Sequence, residues 1–456
     1  MPNDTTKTEP ELTAVEPNSD APCYFTGLTV ENVRSFSLPQ HLDLSDGKGR
    51  PSRWTILLGD NGIGKTTLLQ CLAGMMPQEL KVHQHSLPEQ LTVYVTDIFQ
   101  KGTPHDKYRT LMWVNAPMLK LTGQFAQGSK LEITTTNFHQ FTISLQISRD
   151  GGNSTSNFSA NCKRFTIYAY GAGRRIGSGA LSDVRDNDPQ STLFDDNCAL
   201  LNAEEWLLQA DYAAAKSNDP TAARRRDRIK NILIRLLPDV DDLRIQAGTA
   251  QTAFVEAFTP FGWVPMRSLS SGYRSVVAWM VDLASRLFDR YPNSEDPLAE
   301  PAVVLVDQID LLLHPKWQRE LVQNLSSIFR NTQFIVTAHS PLIVQAATEA
   351  KIVLLRREGD HVVIDNRADS IRGWRIDQII SSDLFENLGI RDPNTEELLK
   401  QRKAILTKPN LSIDDKADLH KLDEQIGILS FGENAEGKRA MEIIERAAKK
   451  LQGQKL

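Results

Sequence analysis

Gly59-Asp-Asn-Gly-Ile-Gly-Lys65-Thr66 fills the pattern G-x-x-x-x-G-K-[ST] without a mismatch. Gly59, Gly62 and Gly64 let backbone N–H groups wrap phosphate oxygens, and a helix starting here adds the positive end of its dipole. Lys65 is placed to reach β/γ-phosphates and the Thr66 hydroxyl to sit on Mg2+, with Asn61 and Thr67 in the same cradle. A chance glycine loop is the bland alternative. The buried-strand run before the loop and the helical TTLLQCLAG after it argue against that. A second element, Val303-Val-Leu-Val-Asp307, is an apolar strand ending in a carboxylate, which suits a metal ligand beside Thr66.

Two further stretches share the order of a known superfamily. Ser268-Leu-Ser-Ser-Gly-Tyr273 resembles the LSGGQ signature of ABC-type ATPases and precedes the Asp307 strand, as it does there. The resemblance implies that Ser270 and Gly272 of one copy cap the γ-phosphate held by another, so the active unit is at least a dimer. An ordinary helix N-cap is the plain reading of Ser270. Thr337-Ala-His339-Ser340-Pro341 is similar to the switch-histidine segment, which implies that His339 contacts the γ-phosphate. A lone histidine is more often a satisfied core group; its place after the strand that follows Asp307 reverses that preference.

Asp307-Gln-Ile-Asp310-Leu-Leu-Leu-His314-Pro315-Lys-Trp-Gln318, the opening LTVENVRSF, VPMRSLSSGYRS, TQFIVTAHSPLIV and YGAGRR at 170–175 resemble the SMC/RecF-like branch rather than transporters. Within it, the single-domain ATPases of bacterial anti-phage systems are most similar, notably the Septu ATPase subunit that operates with an HNH nuclease. The segment ENLGIRDPNTEELLKQRKAILTKPNLSIDDKADLHKLDEQIG looks like theirs. The resemblance implies ATP and Mg2+ as cofactors, a homo-oligomer, and a separate nuclease as partner. It departs at Gln308, where the family carries the glutamate that helps deprotonate the attacking water. A neutral amide orients water but accepts no proton, and loss of a general base costs ~10²–10⁴ in rate. Either slow hydrolysis is native here, or an engineered change traps the ATP state; Leu312 in place of the usual histidine favours natural drift.

The elements that must position these residues follow from hydrophobic patterning. Segment 24–36 alternates like a half-buried strand, and Trp54–Leu58 is a short apolar run of the kind buried on both faces. Val82–Tyr170 carries strand-like pieces with polar turns, which reads as an inserted antiparallel lobe. Residues 176–200 read as a loop, 203–237 as helix, and Val240–Trp263 as two β segments. A helix is expected over Ser271–Arg290, then strands at Val303–Val306 and Phe334–Thr337, with a helix over about 316–330 between them and another after Pro341. Ser412-Ile-Asp-Asp415 reads as a capping box, followed by the apolar stripe Leu419, Leu422, Ile426 and Leu429.

The fold class expected is therefore α/β: an ABC-type P-loop core with a β-rich lobe and a helical C-terminal segment. The expected organisation is a disordered acidic tail at 1–22, an ATPase domain over 23–390, and a candidate partner-binding segment over 391–456. The domain's lobe is placed at about 80–170 and its helical subdomain at about 200–290. A length of 456 residues suits two or three folding units at about 150 residues each. A net charge of −5 argues against a general nucleic-acid coat. The cluster Arg224-Arg225-Arg226 with Arg228 and Lys230 leaves DNA open as a partner, although charge runs are usually solvated faces.

Cys23, Cys71, Cys162 and Cys198 form no C-x-x-C pair, which fits a reducing cytoplasm, and neither a secretory leader nor a membrane-spanning run is expected. Gly171-Ala-Gly173-Arg-Arg-Ile-Gly177 has the wrong spacing for a dinucleotide fingerprint; Arg174 and Arg175 read equally as phosphate or subunit contacts or as a solvated loop. The function expected is an ATP-binding subunit of an anti-phage complex that controls a separate, HNH-type nuclease with little hydrolysis of its own. The alternative is a RecF/SMC-like repair ATPase that binds DNA directly.

Overall fold

The computed structural model describes residues 22, 24–75, 166–177, 188–216, 220–247, 253–366, 373–385, 391–408 and 412–426, and the strand backbones at 92–94, 119–125, 129–137 and 140–147. Residues 1–21 of the tail expected at 1–22, Leu429 and the rest of the chain after 426 lie outside the described residues. The chain divides into two compact units, Met1–Ile379 and Ile380–Leu456.

In chain order the first unit carries β1 (Phe25–Glu31), β2 (Gln40–Asp43), β3 (Trp54–Leu58), α1 (Lys65–Gly74), β4 (Thr92–Tyr94), β5 (Leu119–Phe125), β6 (Ser129–Asn137), β7 (Gln140–Ile147) and β8 (Ile167–Tyr170). Next come β9 (Arg175–Ile176), α2 (Ser191–Phe194), β10 (Ala199–Leu200), α3 (Ala203–Lys216), α4 (Pro220–Leu236), β11 (Asp242–Ala247), β12 (Ala253–Thr259), β13 (Gly262–Pro265) and α5 (Ser271–Arg290). They are followed by β14 (Ala302–Val306), α6 (Pro315–Ile328), β15 (Thr332–Thr337), α7 (Pro341–Ala346), β16 (Lys351–Glu358) and β17 (His361–Asp365).

Two sheets sandwich α1. The first has the order β17-β16-β3-β15-β14-β8, parallel throughout except for the antiparallel edge strand β17. Its inner strands β3, β14 and β15 are buried at every position, as continuous apolar runs in a sheet covered on both faces must be. The second sheet is antiparallel, in the order β2-β1-β5-β6-β7-β4. Leu28 and Val30 of β1, Leu68 and Leu72 of α1, and Leu57, Ala169, Leu305 and Ile335 of the parallel sheet share one core. On the sheet's other face Trp279 of α5 meets Tyr170 of β8, with ring centroids 5.6 Å apart.

Fourteen of the twenty residues of α5 are buried, without a break over 275–285, so the middle of the helix is enclosed on every side rather than along one stripe. The segment read as a loop at 176–200 instead holds β9, α2 and β10, with β9 and β10 paired in parallel. Two-residue strands and a four-residue helix are too short for periodicity to reveal. Between Val240 and Pro265 there are three strands rather than two, an antiparallel sheet in the order β11-β12-β13.

The second unit contains α8 (Pro393–Leu406) and α9 (Ile413–Ile426). Asp392 caps α8 through Thr395 N–H, and Pro393 occupies the first turn, where its missing N–H costs nothing. The capping box at α9 is present: Ser412 N–H donates to Asp415 Oδ2 at 2.9 Å and Asp415 N–H to Ser412 Oγ at 3.0 Å. Of the apolar stripe, Leu422 is buried and Leu419 and Ile426 are half-buried. Arg402 and Asp423 join the two helices at 2.6 Å.

Candidate nucleotide site

The Gly59–Thr66 loop runs from the end of β3 to the start of α1. Its glycines all lie at positive φ: +137° at Gly59, +77° at Gly62 and +107° at Gly64. At Gly64 a Cβ would also fall 2.7 Å from Ser35 Oγ and 2.9 Å from the Phe36 ring, so only glycine fits. No side chain caps α1, which leaves the N–H groups of its first turn for an outside acceptor. Lys65 is buried, and its Nζ donates to the carbonyls of Gly59 at 2.6 Å and Asp60 at 2.7 Å. Burial holds its pKa below the ordinary lysine value, while Asp307, Asp60 and Asp310 pull the other way. Asn61 is exposed in the loop, and the buried Thr67 turns its hydroxyl to Arg34 Nη1 at 3.2 Å.

Beside the loop stands the end of β14. Thr66 Oγ1 donates to Asp307 Oδ2 at 2.8 Å, so two residues 241 positions apart meet as the motifs predict. Thr337, fully buried at the end of β15, donates its hydroxyl to Asp307 Oδ1 at 2.6 Å and accepts from Gln308 N–H at 2.7 Å. Gln308 sits at φ +48° and Leu312 at φ +62°, left-handed positions that non-glycine residues occupy only when neighbours hold them there.

His339 follows β15 and donates its backbone N–H to Asp310 Oδ2 at 2.9 Å. Partial burial depresses its imidazole pKa below 6.5, the Lys65 charge adds to that, and Asp310, Asp307 and Asp60 oppose it. Lys65 and His339 thus feel the same three carboxylates. Ser340 caps the next helix through Leu342 N–H and donates to Gln318 Oε1 at 2.5 Å. Gln318 in turn donates to the carbonyls of Asp310 and Leu313. His314 accepts from Lys316 N–H and Pro315 opens α6, which gives the His-Pro pair a local role as a helix start.

Ser270 holds the N-cap position of α5, yet its exposed side chain makes no capping bond. Among the described residues no side-chain hydrogen bond joins it to the 59–67 loop. Gly272 is buried, and a Cβ there would lie 2.2 Å from the Leu312 carbonyl oxygen. That glycine therefore has a reason within its own chain: it lets α5 rest on the loop after β14. Among the basic residues of α4, Arg225 pairs with Asp289, Arg226 with Asp211 and Asp227, Arg228 with Asp296, and Lys230 with Asp242. Their charges are largely answered inside the chain. Sequence reasoning passed over Thr337 as a ligand of the corner and left Arg174 undecided; Arg174 is buried and bound to this site, whereas Arg175 is exposed. A polar residue ending a fully buried strand was the available signal for Thr337.

These residues fit a nucleoside triphosphate with its metal. The glycine cradle and the uncapped helix suit phosphate oxygens, and a hydroxyl facing a carboxylate offers the hard oxygen donors that Mg2+ takes. Thr66 and Asp307 would hold the metal, which supplies charge neutralisation on the phosphates. Fold and site together define a P-loop ATPase fold of the α/β class. Residues 177–345 match the family described as "AAA domain, putative AbiEii toxin, Type IV TA system", and residues 28–81 match a second AAA domain family.

The chain is similar to the Septu protein PtuA of Bacillus mycoides (strain KBAB4), at 24% identity over 84% of this chain and 48% of that protein. It is also similar to the retron Ec83 probable ATPase of Escherichia coli, at 33% identity over 52% of this chain and 42% of that one. The chain spans about half the length of these curated relatives. Among solved structures, an SMC head bound to the C-winged helix domain of ScpA matches with TM-score 0.43 and 13% identity, over 75% of this chain and 96% of that one. No helix among the described residues is long and apolar enough to cross a membrane.

Proposed function

We propose that the chain is the ATP-binding subunit of an anti-phage complex, which holds or gates a separate, HNH-type nuclease according to its nucleotide state. The observation that carries this reading is the meeting of Thr66, Asp307 and the Lys65 loop in one site, taken with the similarity to Septu and retron ATPases. The 59–67 loop binds the phosphates, Thr66 and Asp307 hold Mg2+, and His339 faces the γ-phosphate as a neutral imidazole. Gln308 orients the attacking water without accepting its proton, so turnover is slow and the ATP-bound state is long-lived. Residues 391–456 are the candidate partner-binding segment, joined to an ATPase domain spanning 23–390.

The free Ser270 hydroxyl supports a site completed by a second copy. A helix start whose own cap is unused, on an exposed end, is suited to accept a phosphate from outside the chain. Copies carrying Asn61→Cys and copies carrying Ser270→Cys, mixed with Mg2+ and ATP, should form an ATP-dependent disulfide between chains. Neither variant alone should do so. Absence of the cross-link in a mixture that demonstrably holds ATP would overturn the composite site.

A further inference from the structure

Arg174 stands four residues after Tyr170, whose carbonyl accepts Asp307 N–H at 2.8 Å. The path between them is tightly set: a Cβ on Gly171 would lie 2.0 Å from the Thr192 carbonyl oxygen. Arg174 itself is only 4% exposed and adopts φ +35°. Its Nε donates to the Gly171 carbonyl at 3.2 Å, and one terminal nitrogen, Nη2, donates to the carbonyls of both Asp307 and Gln308 at 2.5 Å. The other, Nη1, is buried without a hydrogen-bond partner among the described residues. Burial lowers the guanidinium pKa to about 10, with Asp307 and Asp310 pulling upward, so the group is a cation at neutral pH.

The pattern around Gln308 is complete. The peptide before it has its carbonyl, Asp307 O, on Arg174 and its N–H on Thr337 Oγ1. The peptide after it has its carbonyl, Gln308 O, on Arg174 and its N–H, that of Ile309, on the Thr337 carbonyl at 2.9 Å. Both dihedrals of residue 308 are defined by the relative orientation of these two planes. Two residues therefore fix the strained left-handed turn, and with it the direction in which the 308 side chain leaves the backbone. An arginine kept only for folding has no need to sit on both peptides that flank one particular residue.

We propose that Arg174 is a positioning residue for the reaction at the nucleotide site: together with Thr337 it clamps the two peptide planes flanking Gln308 and so aims the 308 side chain. The proposal rests on the reading that residue 308 faces the attacking water. Misplacement of a reacting group by about 1 Å can cost ~10²-fold in rate. Lysine keeps the charge but cannot span three carbonyls with a planar fork.

The test places Arg174→Ala and Arg174→Lys in a Gln308→Glu background, where turnover is measurable. We expect kcat to fall roughly 10- to 100-fold in both, while KM and the affinity for a fluorescent mant-ATP probe move less than about threefold. Millimolar guanidinium should restore part of the Arg174→Ala loss. Amide exchange at Gln308 and Ile309 should accelerate while β3 and β15 stay protected. Unchanged kcat in folded variants, or probe affinity falling in step with kcat, would overturn the proposal. If Gln308→Glu shows no turnover, the functional reading has failed. Amide exchange at 308–309 then decides for Arg174 alone, and unchanged protection in Arg174→Lys would sink it.

Discussion

The corner at Gln308 and the open end of α5 carry motifs of equal clarity, yet the chain treats them oppositely. At the corner every polar group of two successive peptides is bound, by Thr337 and Arg174, and Asp307 accepts from two hydroxyls. At the start of α5 the Ser270 hydroxyl is exposed and bonded to nothing that caps its helix. Deeper in the same helix Asp282 is buried, accepting from Tyr170 OH at 2.9 Å and Arg286 Nε at 2.8 Å. So α5 is anchored at its middle and packed on Leu312 at Gly272, and what stays free at its start is the Ser270 hydroxyl. The corner is held entirely within the chain, and the hydroxyl at the start of α5 is left unsatisfied.

Breaking the closed side should have the larger effects. Lys65→Ala removes the buried charge of the glycine loop, and on the proposed function Mg2+–ATP affinity measured by calorimetry should fall roughly 30-fold to several-thousand-fold. Asp282→Ala removes the buried carboxylate that accepts from Arg286 Nε and the Tyr170 hydroxyl; urea unfolding should show a loss of about 3–5 kcal/mol. Gly272→Ala forces a methyl onto the Leu312 carbonyl and should cost about 1–3 kcal/mol by the same measurement.

The open side predicts the reverse. Ser270→Ala should change stability by less than about 0.5 kcal/mol, where loss of a working N-cap would cost about 1. A full capping penalty would show that Ser270 serves its own helix. The smallest effect is electrostatic. His339 should titrate below 6.5 by NMR, and Lys65→Ala should raise it only partway, because burial is the larger cause. Since the folded imidazole resists protonation, this histidine's contribution is full above about pH 6.5 and is lost as pH falls below it.

Much of the site was legible because its residues lie in contiguous motifs. A glycine pattern or an aspartate ending an apolar run announces chemistry that the backbone alone makes possible. The parallel strands were legible for the same reason, as uniformly apolar runs of strand length. The order of the parallel sheet was not, since pairing of β3 with β15 and β16 joins segments far apart in the chain. Arg174 was ambiguous because an arginine in a glycine-rich loop carries no mark of burial, and the Asp307 and Gln308 carbonyls that hold it lie 133 and 134 positions further along the chain. The lesson of Gly272 is similar. Its motif pointed outward to a partner, while its close approach to Leu312 is a demand of its own chain.

Steady-state ATP hydrolysis by the chain as it stands and by Gln308→Glu, with bound nucleotide measured in parallel, tests the central claim most directly. The account predicts slow turnover with ATP retained, rising by ~10²–10⁴ in Gln308→Glu while nucleotide affinity stays within about twofold. A Gln308→Glu variant that binds ATP as tightly but hydrolyses it no faster would contradict the account, because a carboxylate at the clamped corner would then not be facing the water.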